Sequence, residues 1–224
     1  MQEKSVFQST AAIGQQSVEI SKVLRNTYML LGLTLLNSAA FSAIAMALNL
    51  GRGTALVLSL LGFAMLFVVN ATANSSKGLA AIFVFTALMG ASIGPMLQMY
   101  LALPNGAELV MQALGGTALV FFGLSAYALT TRKDFSFLGG FLMVGLLVVV
   151  VASIANIFFA VPAVSLAISA AAVFIMSGLI LFDTSRIIHG GETNYIRATV
   201  ALYLDIYNLF VHLLHLLGIF GSDD

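Results

Sequence analysis

Seven stretches of this chain are apolar for about 20 residues or more, over positions 26–49, 54–73, 79–102, 109–130, 136–159, 162–188 and 195–219, with short polar gaps between them. A helix of about 20 residues spans the roughly 30 Å hydrocarbon core of a bilayer. Hydrophobic residues make up 60% of the chain and charged ones 8%, against about 25% charged in a soluble domain. A water-soluble fold has no way to hide that much apolar surface. The expectation is an all-α polytopic membrane protein of seven transmembrane helices, with the lipid bilayer as its first partner. Because the connections are short, helices adjacent in sequence should mostly be adjacent in space.

The same composition removes several function classes. The net charge is zero and no basic patch with interleaved aromatics occurs, which excludes nucleic acid as a partner. Without cysteine there is no disulfide, no thiol catalysis and no cysteine-ligated zinc. Residues 1–23 are rich in Gln and Ser and too polar to pack alone, so they are expected as a flexible cytoplasmic tail that a cytosolic partner could grip. The first apolar run exceeds a signal-peptide core in length and reads as a retained span. One bundle, residues 24–220, then runs to a short tail at 221–224, and its halves show no convincing internal repeat, which argues against an inverted-repeat transporter.

Orientation follows from lysine and arginine, which accumulate in cytoplasmic loops. With the N-terminus inside, Lys4, Lys22, Arg25, Lys77, Arg132, Lys133 and Arg186 lie on the cytoplasmic side, Arg197 lies at its edge, and Arg52 alone falls outside. Seven spans then place the C-terminus outside.

Small residues mark where backbones can approach. Gly90 and Gly94 have small-xxx-small spacing in the third run, and Gly115, Gly116 and Gly123 line the fourth; both sets are expected as packing devices. Pro95 removes one backbone donor and should kink or break the third helix beside Gly94, as a hinge or a cavity wall. Gln98, one turn on, could answer the freed carbonyl.

Two carboxylates interrupt the last two runs: Asp183 in LILFDTSRII and Asp205 in ALYLDIYNLF. Such a group costs about 2.5 to 3.5 kcal/mol at a helix centre by insertion scales, so it is rare and usually functional. Counting about 1.5 Å per residue from the turn His189–Asn194, Asp183 sits about 9 Å deep and Asp205 about 15 Å, close enough to meet. On the seventh helix Asn194, Ala198, Ala201, Asp205, Asn208, His212 and His215 fall on one stripe, with Tyr203 and Tyr207 opposite. A polar stripe along a membrane helix faces protein or water, so this helix should be enclosed by the other six. The sixth offers it Ser165, Ser169, Ala172 and Asp183. Arg186 and Arg197 are the candidate charge partners of the pair, with interfacial snorkelling as the alternative. His212 and His215 are read as hydrogen-bonded histidines in preference to metal ligands.

The stretch DTSRIIHGGETNYIRATVALYLDIYNLF, with GASIGPML in the third run and GGTALVFFGLSAYALTTRKDFSFLGG in the fourth and fifth, resembles the Bax inhibitor-1 family over nearly the whole chain, and most closely its bacterial YccA-like branch. The resemblance implies seven helices with the last at the centre. It also implies an aspartate pair, here Asp183 and Asp205, that senses pH and controls a calcium leak in some members. In those members a basic residue of the second helix pairs with an aspartate, but TALVLSLLGFAMLFVVNATA carries none. For the YccA-like branch the resemblance implies binding and restraining the FtsH membrane protease in the bacterial inner membrane.

Three functions therefore compete: a regulatory partner of a membrane protease, a pH-gated leak for calcium or protons with the carboxyl pair as gate, and an intramembrane protease. The last is disfavoured by its motifs. An aspartyl protease of this kind carries GxGD where this chain has ALYLD, and a rhomboid-type serine needs GxSG where Ser125 sits in GLSAY. The expectation is a protein that is not an enzyme and holds no cofactor, with calcium as an ion it could pass or bind.

Overall fold

The computed structural model describes residues 2–221, with side chains described from Val18 onward. All of it is helix and connecting turn: α1 (Gln2–Ala47), α2 (Arg52–Thr72), α3 (Ser76–Leu101), α4 (Gly106–Thr131), a 3-10 turn (Ser136–Leu138) leading into α5 (Gly139–Phe159), α6 (Pro162–Ile188) and α7 (Tyr195–Phe220). Each of the seven is long and apolar enough to cross a membrane, and apart from the start of α1 the expected runs match these helices to within a few residues. The segment expected as a tail is helical in backbone from Gln2 and continues α1. Its side chains before Val18, and the C-terminal tail after Gly221, lie outside the described residues.

Local chemistry sets the ends. Pro162 opens α6 where its missing N–H costs nothing. Asn194 caps α7, its Oδ1 accepting from Ile196 N at 2.9 Å and Arg197 N at 3.2 Å. Arg132 and Ala160 close α4 and α5 in the left-handed region, both at φ 49°.

The helices form two groups of three around α7. α3 packs between α1 and α2, which do not touch each other, and α6 packs between α4 and α5, which likewise do not touch. Adjacency in sequence is therefore adjacency in space for four of the six successive pairs, α2–α3, α3–α4, α5–α6 and α6–α7. α7 contacts α1, α2, α3, α4 and α6, while α5 stands behind α6 and does not reach it. The enclosure of the last helix is thus completed by five neighbours. α5 is apolar on every side and buries only Leu142 and Val149, so hydrocarbon satisfies most of its surface and it has no need of a central position. Buried residues of α7, by contrast, include Leu202, Tyr203, Asp205, Ile206 and Leu209, which cover nearly half of its circumference. Tyr203 meets Phe85 of α3 edge-on with ring centroids 5.3 Å apart.

Two expectations about α3 and α4 are corrected. α3 runs as one α-helix through Gly94 and Pro95, so no helix break occurs there; a Cβ on Gly94 would stand 2.6 Å from Ala45 Cβ, and the close packing of α1 holds the helix through the missing hydrogen bond. The Gln98 side chain does not answer the freed carbonyl but donates to Asn49 Oδ1 in the α1–α2 turn. Gly90 is the packing device expected, since a Cβ there would come within 2.6 Å of Ser38 Cα. Gly115 and Gly123 are not: nothing lies within 4 Å of a Cβ at either position, because that face of α4 looks away from the bundle.

A candidate intramembrane carboxyl site

Asn194 fixes where the site begins. Beyond capping α7, its Nδ2 donates to Ala73 O at 2.9 Å and Asn74 Oδ1 at 2.8 Å, tying the start of α7 to the α2–α3 turn. Three turns on, Asp205 is 4% exposed and faces α6. There the Asp183 carboxyl is its charged neighbour across the helix interface. No N–H or O–H of the described residues reaches Asp205 Oδ2. Two carboxyl groups in contact have only acceptor oxygens unless a proton lies between them.

Arg186, one turn after Asp183, covers the pair from the side of the turn. Its Nη1 is 3.4 Å from Asp183 Oδ1 and its Nη2 is 3.8 Å from Glu192 Oε2, and the guanidinium lies 5.5 Å from the Phe182 ring centroid. Glu192 is held in turn, because its Oε1 accepts from Asn194 N at 2.9 Å. The polar groups therefore form a ladder from the buried Asp205 through Asp183 and Arg186 to Glu192 at the surface. Of the two arginines singled out in the sequence, Arg186 joins the site. Arg197 is exposed and makes no ion pair among the described residues.

The turn is braced against the α4–α5 connection. His189 Nδ1 is 2.9 Å from Ser185 O and its Nε2 is 3.1 Å from Arg132 O, while Ser185 Oγ accepts from Phe135 N at 3.0 Å. Within that connection Asp134 accepts from the hydroxyl and backbone N–H of Ser136. Those two bonds, and more weakly the His189 ring, hold its carboxyl below the usual aspartate range.

The rest of the polar stripe is not one continuous path. Asn208 Nδ2 returns to its own helix at Leu204 O, 2.8 Å away, and His212 Nδ1 reaches Ser169 Oγ of α6 at 3.2 Å. His215 opens onto a cleft at the far end of the bundle. Sequence reading missed the opposite face of α7, where the Tyr203 hydroxyl bonds Ser38 Oγ and the Tyr207 hydroxyl lies 3.3 Å from Ser92 Oγ. Asn37 supports that seam by donating to Phe83 O at 2.9 Å and Thr86 Oγ1 at 3.0 Å. The signal available was Asn37 and Ser38 side by side in an apolar run. Ser125 stands 3.5 Å from the Thr184 hydroxyl, with no base beside it to activate it.

These features define a class: a seven-helix membrane protein whose last helix is enclosed and carries one half of a buried carboxyl pair. The family model described as "Inhibitor of apoptosis-promoting Bax1" matches residues 20–222, and the chain belongs to that Bax inhibitor-1 family. Among its relatives, a protein of Escherichia coli (strain K12) named "Modulator of FtsH protease YccA" is 54% identical over 204 residues, covering 91% of this chain and 92% of that protein. A membrane protein of Vibrio cholerae is 49% identical over 98% of both chains. A Pseudomonas aeruginosa protein is 47% identical over the full length of both.

Proposed function

We propose that this protein is an inner-membrane regulatory partner of an FtsH-type membrane protease. The observation that carries the reading is the 54% identity, across nine-tenths of both chains, to a relative named as modulator of that protease. The N-terminal segment serves as the cytoplasmic handle, so deleting residues 2–20 slows proteolytic turnover of this protein. The direct test is to overproduce the chain in cells and follow the half-lives of membrane proteins degraded by the protease. Lengthened half-lives, with the protease recovered alongside the purified chain, support the modulator reading, and unchanged half-lives remove it.

The carboxyl site favours a second activity of the same molecule, a pH-gated cation leak with calcium or protons as cargo. Asp183 and Asp205 are the titrating pair, and Arg186 supplies a positive charge beside them. No group of three or more His, Asp or Glu side chains that could hold a metal gathers among the described residues, and calcium binding takes six to eight oxygens, so calcium here would be an ion in transit. Cation flux into protease-free liposomes containing the purified chain tests it. Flux that does not differ from empty liposomes at any pH ends this reading and leaves the first untouched.

A further inference from the structure

At the end of the bundle away from the His189–Asn194 turn, α3, α5, α6 and α7 line an open cleft of about 490 Å³ that the carboxyl pair does not reach. His212 and His215, about one turn apart on α7, line it together with Met96 of α3. The wall across from them is satisfied internally: Asn156 Nδ2 donates to Ser165 Oγ at 2.6 Å, and Asn156 Oδ1 accepts from Val161 N at 3.1 Å. His212 differs. Its Nδ1 is engaged by Ser169 Oγ at 3.2 Å, which fixes the ring and leaves Nε2 for a ligand, the arrangement by which outer partners orient metal-binding histidines. His215, half-buried, has no hydrogen bond among the described residues.

The donor set selects the ligand. No Asp, Glu, Lys or Arg lines the cleft, so a hard dication finds none of the anionic oxygens it needs. Neutral imidazole with a thioether is a soft set, and soft sets favour Cu(I). A monovalent ion also costs less than a dication in a cleft without a counter-charge. We propose that this cleft is a binding site for a soft monovalent transition-metal ion of the Cu(I) class, with His212 and His215 as ligands, Met96 as the third and Ser169 as the residue that positions His212.

The test uses the full chain, purified in detergent and kept anaerobic under reducing conditions, with Cu(I) as the probe and a chromophoric Cu(I) chelator as competitor. Wild type is expected to withhold one equivalent of Cu(I), and the His212→Ala/His215→Ala double variant none. Met96→Leu, nearly isosteric, weakens retention of Cu(I). Ser169→Ala weakens it by about 10- to 100-fold, as removal of an outer-shell partner does elsewhere. Met111→Leu, on the exposed face of α4, leaves retention unchanged and separates the cleft from adventitious methionine binding. His215→Gln gives up no hydrogen bond, so it remains informative should the double variant misfold, and it too must weaken retention. Equal Cu(I) retention by wild type and His215→Gln, each eluting as one species with the same melting temperature, overturns the proposal.

Discussion

Asp205 has an oxygen that no donor of the described residues reaches, and its polar neighbour is another carboxyl group. A shared proton turns that contact into a hydrogen bond between α6 and α7, and loss of the proton replaces the bond with repulsion across a poorly hydrated gap. The two groups then titrate as a pair, and any apparent pKa belongs to both. Asp183→Asn and Asp205→Asn are each expected to abolish the pH dependence of flux or of helix packing, with the double variant adding little, because residues acting as a unit are not additive. Single variants that retain the wild-type pH response would show that the pair only holds the helices together. A second residue-scale prediction concerns His189, whose two ring nitrogens both face carbonyl oxygens. His189→Ala is expected to cost about 1 kcal/mol, read as a lowered thermal midpoint. Asp134 belongs to the same brace: its carboxyl is held below the usual range by Ser136, so its contribution is present above the unfolded aspartate pKa and is lost as pH falls through the folded value. Hydrogen exchange at residues 132–136 is expected to show that loss of protection on acidification, and Asp134→Ala to remove it.

At the scale of the helix, the glycines divide into two kinds that sequence spacing does not separate. Gly90 lies where α1 and α3 touch backbone to backbone, and Gly115 lies on an open face. Gly90→Val is expected to destabilise the protein by about 1–3 kcal/mol through overpacking. Gly115→Ala is expected to be neutral or stabilising by up to about 1 kcal/mol, since alanine favours the helix and meets nothing. Thermal unfolding of both variants in one detergent measures the contrast, and an equal loss for both would mean that α4 has a partner on that face. Gly94 and Pro95 belong to the same lesson. A proline predicts a break only if the neighbouring helices leave room for one, and α1 leaves none.

The molecule as a whole repeats one contact pattern: α3 between α1 and α2, then α6 between α4 and α5, with α1 and α4 both against α7. Three spans in each half reverse the direction of the chain, so each helix and its counterpart in the other group run in opposite directions although their sequences show no repeat. Similar packing needs only similar patterns of small and large apolar residues, which many sequences satisfy. Topology is the prediction that belongs here. Reporter fusions are expected to place residues 131–134 in the cytoplasm and residue 224 outside, as the lysine and arginine distribution requires; a cytoplasmic C-terminus would mean that one run does not cross.

Seven spans and their limits were written in the sequence, because the bilayer acts on each run separately and asks only for length, apolarity and internal hydrogen bonding. The candidacy of Asp183 and Asp205 was legible for the same reason: a charge in hydrocarbon stands out without knowledge of its surroundings. Which groups meet them was not. Arg186 and Arg197 look alike in sequence, and only the folded chain shows Arg186 beside Asp183 and Arg197 exposed. Glu192, the Tyr203–Ser38 and Tyr207–Ser92 contacts, and the cleft of Met96, His212 and His215 depend on pairs far apart in the chain. In a membrane no difference in hydrophobicity drives such helices together, so small residues and interhelical hydrogen bonds select their neighbours, and those exist only once the bundle has formed.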